Sequence, residues 1–235
     1  MPEIAVLIPA YDEAPRIEVV LDTVCGMGDG FRVVVIDDGS RDDTAARALN
    51  FPVEVLRHPD NLGKGAALET GIIHVGRADR WVFLDADLID LCADHVGRLL
   101  DSLDSSGAGM SVGRFTEGRK KVDWAQRFFA ILNGQRALRG DVVEMLPGLS
   151  WSRFGVEVFL SQWVEHRGLG IATPILRGLN HHTKEQKMGL AAGIGARLNM
   201  YGECIRAYRR WRAHIDEPRI TRLDRGRCEV LRAAR

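Results

Sequence analysis

Two carboxylates separated by one alanine, Asp85 and Asp87, follow the unbroken apolar run Trp81 to Leu84. A continuous apolar run suits a central parallel strand covered on both faces. The acids are therefore expected at its carboxyl end, where open α/β sheets bind ligands. In an extended chain residues i and i+2 point the same way, so the pair could share one divalent cation. Such a hard ion takes carboxylate oxygens and is commonly completed by substrate phosphates. A helix N-cap or a solvated turn would use the same residues, and the rest of the chain separates these readings.

The elements around the pair repeat one pattern. Ile4 to Ile8 is a short apolar run ending at Pro9-Ala10-Tyr11-Asp12-Glu13, after which Ile17, Val20, Leu21 and Val24 recur at helical spacing. Phe31 to Ile36 runs into Asp37-Asp38-Gly39-Ser40, with a helix expected near Asp42 and Ser40 placed to cap it. Val53 to Leu56 is a third strand, followed by Asn61-Leu62-Gly63-Lys64-Gly65 and a helix through about Val75. Strands alternating with helices predict a doubly wound, mostly parallel sheet.

Beyond Asp87 a helix is expected over Ala93 to Leu103, then a strand over Ala108 to Val112 and a helix over Trp124 to Leu138. Gly140 to Ser152 reads as irregular, with Pro147-Gly148 a turn. A helix follows over Val156 to His166, a strand over Gly170 to Leu176, and a long helix over Met188 to Trp211. On that last helix Leu190, Ile194, Leu198, Tyr201, Ile205 and Tyr208 form one apolar stripe, expected to pack on the sheet. Asp216 to Arg235 carries no clear signal.

Composition narrows the class. At 235 residues, 27% charged and 46% hydrophobic, the chain is that of an ordinary globular protein with a substantial core. No apolar run approaches the roughly 20 residues that span a bilayer. The amino-terminal residues lack a basic segment followed by an apolar one, so a cytoplasmic location is expected. The cysteines at 25, 92, 204 and 228 are far apart, which suggests neither a zinc site nor a disulfide framework. Net charge is zero, but residues 188–235 hold 11 Arg against 5 acids, +6, leaving −6 on the first 187. A basic tail on an acidic body fits an anionic partner such as a membrane surface, or a solvated arginine-rich helix face; no nucleic-acid partner is expected.

Two nucleotide-binding signatures are excluded. Gly63-Lys64 lacks the upstream glycine and following hydroxyl of a P-loop. Gly26, Gly28 and Gly30 end a helix instead of following a strand, so the dinucleotide fingerprint also fails. In contrast, Ile8-Pro9-Ala10-Tyr11-Asp12-Glu13, Asp37-Asp38-Gly39-Ser40, Asn61-Leu62-Gly63-Lys64-Gly65 and Leu84-Asp85-Ala86-Asp87 arrive in the order and spacing of the family 2 glycosyltransferases of the GT-A fold, which this sequence resembles over about its first 90 residues. The resemblance implies a nucleoside-diphosphate-sugar donor site. Asp85 and Asp87 would be its metal motif, with Mg²⁺ or Mn²⁺. Pro9, Tyr11 and Glu13 would lie along the nucleotide, Asp38 would contact base or ribose, Lys64 would approach base or diphosphate, and Asp85 would also serve the donor. An acid can accept from a base N–H or ribose hydroxyl, and a lysine between glycines can approach a polyanion closely. Plainer roles remain open for three of them: an N-cap for Asp38, a solvated Lys64 and a rigid turn at Pro9.

The later half matches more loosely, at Gly134-Gln135-Arg136-Ala137 and Phe154-Gly155-Val156-Glu157-Val158. Glu157 is the candidate general base, since an acceptor hydroxyl must lose its proton as it attacks, and the apolar Val156, Val158 and Phe159 beside it could raise its pKa. An exposed helical glutamate is the alternative. His181 or His182 resembles the late histidine that many GT-A enzymes offer to the metal or diphosphate, or else forms a solvated turn. Lys184 could pair with the leaving phosphate. Arg136 could touch acceptor phosphate or sit in a surface salt bridge.

The expected architecture is an α/β GT-A domain over residues 1–187, its donor half about 1–112 and its acceptor half about 113–187, with a basic helical extension over 188–235 packed on it. The expected activity is metal-dependent, inverting transfer of a sugar from a UDP- or GDP-sugar to an acceptor hydroxyl. A polyprenyl-phosphate acceptor reached at the membrane surface and a retaining GT-A transferase stay open. A sugar-1-phosphate nucleotidyltransferase should carry a glycine-rich, arginine-containing loop where this chain has Pro9-Ala10-Tyr11, and a non-catalytic binding module should have lost one of the acids.

Overall fold

A computed structural model describes residues 4–115, 133–181, 201–219 and 228–232. The sheet is built from β1 (Ile4–Ala10), β2 (Phe31–Asp37), β3 (Glu54–Arg57), β4 (Arg80–Phe83), β6 (Met110–Val112), β8 (Arg136–Arg139), β9 (Ile171–Ala172) and β12 (Glu229–Leu231). Their order is β12-β3-β2-β1-β4-β8-β6-β9. β3, β2, β1 and β4 are parallel, whereas β8 runs antiparallel to both β4 and β6. This is the doubly wound, mostly parallel arrangement that the βα spacing predicts.

Both faces are covered, for a reason visible in β1. Successive side chains of a strand alternate faces, so Ala5 and Leu7 join one core with α3 (Lys64–Val75) and α6 (Val156–His166). Val6 and Ile8 join the other with α1 (Ile17–Cys25), α2 (Thr44–Ala48) and α4 (Ala93–Ser106). α1 buries Ile17, Val20, Leu21 and Val24, the residues whose spacing announced it.

Several expectations need correction. Residues 136–138, expected at the end of a helix, form β8 instead. Arginine, alanine and leucine favour helices in isolation, but here they fill the slot between β4 and β6 and gain ladder partners on both edges. The stretch expected to be irregular contains α5 (Gly140–Met145) and the start of a 3₁₀ turn, Ser150–Gly155. The helix after β2 begins at Thr44, and no side chain caps it; the Ser40 hydroxyl instead accepts from the Asp12 N–H at 3.0 Å. The strand expected over 170–176 is broken at Thr173-Pro174 into β9 and β10 (Ile175–Leu176), β10 pairing with β7 (Arg114–Phe115). The closing segment, silent in sequence, supplies edge strand β12 antiparallel to β3, so part of 188–235 belongs to the main sheet.

The last helix is described over residues 201–210 (α7) and runs into a 3₁₀ turn, Trp211–His214. Its stripe does not pack as expected: Tyr201, Ile205 and Tyr208 are exposed, and the seated residues are Glu203, Ala207 and Trp211. The remainder of the predicted stripe, and most of the helix predicted over 124–138, lie outside the described residues. Cys25, Cys92, Cys204 and Cys228 are free thiols.

Candidate functional site

The loops at the carboxyl ends of β1 and β2 are stitched together. Besides the Asp12–Ser40 bond, the Glu13 N–H donates to Thr44 Oγ1 at 2.8 Å, the Ala14 N–H to Asp42 Oδ2 at 3.1 Å, and the Arg41 N–H to Asp12 Oδ1 at 2.8 Å. Pro9 is half-buried one residue before the end of β1, and Tyr11 stands exposed beyond it. The Glu13 carboxylate is held by Arg16 Nη1 at 2.8 Å.

Asp38 is spent inside the protein. Only 4% exposed, it accepts from His58 Nδ1 at 2.7 Å and from the N–H groups of Leu62 and Gly63 at 2.9 and 2.8 Å. His58 in turn contacts Thr70 Oγ1 on α3 at 2.9 Å. The acid thus fixes the loop that delivers Lys64 to the start of α3, a role that neither a base contact nor an N-cap anticipates.

Lys64 links the two halves of the chain. Its ammonium donates to Asp85 Oδ1 and, at 2.6 Å, to Glu157 Oε1 on the first turn of α6. The side chains of Lys64 and Glu157 are 13 and 11% exposed. Burial opposes the lysine's charge, but the two carboxylates outweigh it and hold the lysine pKa above its usual value. Glu157 therefore faces an ammonium at the donor strand's end, a partner that its apolar sequence neighbours do not announce.

Antiparallel register explains a further partner of Asp85. Phe83 lies opposite Arg136, so two residues onward Asp85 meets Gly134. A Cβ on Gly134 would stand 2.3 Å from Asp85 Oδ2, so only glycine admits the carboxylate there. Gln135 Nε2 then donates to Asp85 Oδ2 at 2.8 Å. Behind this pair Arg136 is 1% exposed, which rules out a surface salt bridge. Its guanidinium donates to Asn133 O at 2.9 Å and Ser161 Oγ at 3.0 Å. Burial pulls its pKa down to about 10, opposed by Glu157 and Asp85, so it stays cationic at neutral pH. Two cations and two carboxylates thus balance at the meeting of β4, β8, α3 and α6.

Asp87 sits half-buried in the turn after β4, where the chain has left the extended geometry that would align it with Asp85. Among the described residues no cluster of three His, Cys, Asp or Glu could hold a metal by itself. The donor set nevertheless fits a hard cation, which needs only one or two carboxylates when substrate phosphates complete its shell. Lys64 and Gln135 already engage both oxygens of Asp85. β11 (Asn180–His181) runs antiparallel to β5 (Leu88–Ile89), with His181 opposite Leu88, the residue after Asp87. The backbone carrying the late histidine thus passes beside the acid pair. The side chain of His181, together with His182 and Lys184, lies outside the described residues.

Sequence reasoning gave no role to Gln135, His58 or Arg153. Arg153 precedes Glu157 by one helical turn, has φ 47° and ψ −120°, and bonds Asn61 Oδ1 at 3.2 Å. Gln135 stands in the loosely matching Gly134-Gln135-Arg136-Ala137 segment, and the register with β4 that gives it meaning is not written in the local sequence.

The chain is similar to several known proteins. A dolichyl-phosphate β-glucosyltransferase of Trichomonas vaginalis is 33% identical over 98 residues, 36% of this chain and 30% of that protein. A glucosyl-3-phosphoglycerate synthase of Mycolicibacterium paratuberculosis is 36% identical over 96 residues, 37% of this chain and 29% of that protein. The match therefore spans less than a third of either relative's length. The crystal structure of the Mycobacterium tuberculosis glucosyl-3-phosphoglycerate synthase with Mn²⁺, UDP-glucose and phosphoglyceric acid superposes with a TM-score of 0.62 at 25% identity, covering 86% of this chain and 80% of that one. The fold is that of the GT-A glycosyltransferases. Residues 5–153 match the family model described as "Glycosyl transferase family 2", and the chain belongs to that family.

Proposed function

We propose that the protein transfers a sugar from a nucleoside-diphosphate donor, a UDP-sugar in the first instance, to an acceptor hydroxyl by a single in-line displacement that inverts the anomeric centre. One observation carries this reading: Glu157, from the acceptor half, shares the Lys64 ammonium with Asp85, from the donor half. A carboxylate at that junction can take the proton of an attacking hydroxyl. Lys64 keeps the two acids from repelling one another, Gln135 fixes the orientation of Asp85, and Asp38 fixes the loop that carries Lys64. Asp87 and Asp85, with His181 or His182, would hold a divalent cation, Mg²⁺ or Mn²⁺. When bound, that ion would neutralise charge on the diphosphate leaving group. The solved synthase's complex with Mn²⁺ and UDP-glucose supports the donor class.

UDP release from UDP-glucose in the presence of Mn²⁺ tests the proposal. Slow hydrolysis by the wild type should vanish in Asp87→Ala, and Glu157→Gln should reduce transfer about 100-fold or more. Near wild-type turnover by Asp87→Ala would sink the assignment.

A second reading replaces the hydroxyl with a lipid phosphate. It is favoured by the exposed apolar stripe of α7 and by the dolichyl-phosphate relative. A phosphate is already ionised and needs no base, so on that reading Glu157→Gln leaves kcat near wild type.

A further inference from the structure

One side of α7 is seated on the protein and the other is exposed. Ala207 and Glu203 are buried, the Glu203 carboxylate accepts the Phe154 N–H at 3.2 Å, and a Cβ on Gly155 would lie 2.4 Å from Ala207 Cβ. Glu203, Ala207 and Trp211 are spaced four apart and share that inner face. Tyr201, Ile205 and Tyr208 fall on the opposite face and are 40, 55 and 55% exposed. Arg209 is exposed beside them, and Arg206 and Arg210 are exposed further round the helix. Between residues 204 and 215 the chain has four arginines and no acid.

We propose that this face docks on the surface of an anionic lipid bilayer, with Tyr201, Ile205 and Tyr208 entering the headgroup boundary and the arginines meeting lipid phosphates. Helices that lie in a membrane interface combine an apolar stripe with flanking basic residues. Tyrosine suits the boundary because its ring is apolar and its hydroxyl stays wet. Anionic headgroups attract each nearby arginine by about fivefold in partitioning. The charge of the helix itself adds direction: it and the turn after it hold four arginines and no acid between residues 204 and 215, whereas the first 187 residues carry −6, so an anionic surface draws in this segment and repels the body. A strip one helix wide, basic along its flank, fits a planar charged surface better than the apolar groove of a protein partner. Glu203, which seats the helix, also contacts Arg153 at 3.5 Å, one turn before Glu157. Docking would therefore set the acceptor side about one helix diameter, roughly 10 Å, from the lipid. The docking itself does not depend on the proposed reaction.

Co-sedimentation of the full chain with phosphatidylserine/phosphatidylcholine vesicles and with pure phosphatidylcholine vesicles tests this. At low salt the wild type should pellet with the first and not the second, and 0.5 M salt should release it. Arg209→Glu/Arg210→Glu should lower the partition coefficient at least tenfold, and Tyr201→Ser/Ile205→Ser/Tyr208→Ser should do so at unchanged thermal midpoint. If the triple substitution unfolds the chain, the charge reversal alone decides. A wild type that stays in the supernatant at low salt overturns the proposal. So does binding that both variants retain, or self-association in the absence of vesicles that the serine substitutions abolish, which would make the face a protein contact.

Discussion

The Lys64 ammonium lies 2.6 Å from the Glu157 carboxylate while also holding Asp85, so one cation fastens the acceptor half of the chain to the donor half. Removing it leaves the two carboxylates facing each other with one cation fewer, Arg136 remaining nearby. Breaking a buried pair in this way typically costs about 3–5 kcal/mol, and partial solvent access reduces that here to about 2–3 kcal/mol. Lys64→Met should lose that much by urea denaturation in EDTA. Adding Glu157→Gln should restore part of it, giving a coupling of about 1 kcal/mol or more in the double-mutant cycle. Additivity within about 0.5 kcal/mol would mean the bridge is not made in solution.

Asp38 predicts a different signature. Its carboxylate satisfies two backbone N–H groups and His58 inside the fold, and each buried donor left unpaired costs about 1–3 kcal/mol. Asp38→Ala should therefore destabilise the chain by about 3 kcal/mol and weaken UDP binding indirectly, through the loop that ends at Lys64. A variant with unchanged denaturation midpoint but weakened UDP binding would return Asp38 to the nucleotide contact that its motif suggested.

The sequence made some of this legible and hid the rest for a physical reason. Parallel strands buried on both faces are continuous apolar runs, so β1, β2 and β4 and the acids at their ends could be read directly. Val156 to His166 could be read as well, because its spacing is helical and its residues form α6 as expected. β8 could not, because its strand character comes from β4 and β6 on either side and not from Arg136, Ala137 and Leu138 themselves. The contacts of Gln135 and Gly134 with Asp85 stayed hidden with it. The stripe of α7 was correctly periodic, yet periodicity does not say which face is seated; Glu203 and Ala207 decided that by packing on residues 153–155.

Acid should act on the opposite edge of the sheet. Glu54 on β3 accepts from Arg32 Nε and Nη2 at 2.5 and 3.0 Å and from His74 Nε2 at 2.7 Å. The Arg32 hydrogen bonds, helped by His74 and opposed by burial, lower its pKa from 4.5 to about 2. A depressed carboxylate stabilises the fold above its unfolded pKa and loses that contribution as pH falls through the folded one. The window is therefore about pH 4.5 down to about 2. Because the side chain is 39% exposed, solvent screening leaves about 1 kcal/mol of the effect. Glu54→Gln should flatten the stability–pH curve across that window by about this amount; an unchanged acid limb would show that the pair contributes nothing.

Arg153 should reverse the usual direction of a substitution beside a functional site. Its φ of 47° with ψ of −120° is a conformation that glycine tolerates and other residues hold at a cost of about 1–3 kcal/mol. Its side-chain contacts, Nη2 to Asn61 Oδ1 at 3.2 Å and Nε to Glu203 Oε1 at 3.5 Å, are partly exposed and contribute little. Arg153→Gly should therefore gain about 1 kcal/mol after the extra backbone entropy of glycine is subtracted, raising the thermal midpoint by about 2–4 °C in a chain of this size. Arg153→Ala loses the same contacts but keeps the strain, so its midpoint should stay level or fall. A higher midpoint for glycine alone would locate the strain in the backbone. If transfer activity drops in both variants, the guanidinium is the reason the strained conformation is retained one turn before Glu157. Equal midpoints for the glycine and alanine variants would mean that the backbone at Arg153 is not strained.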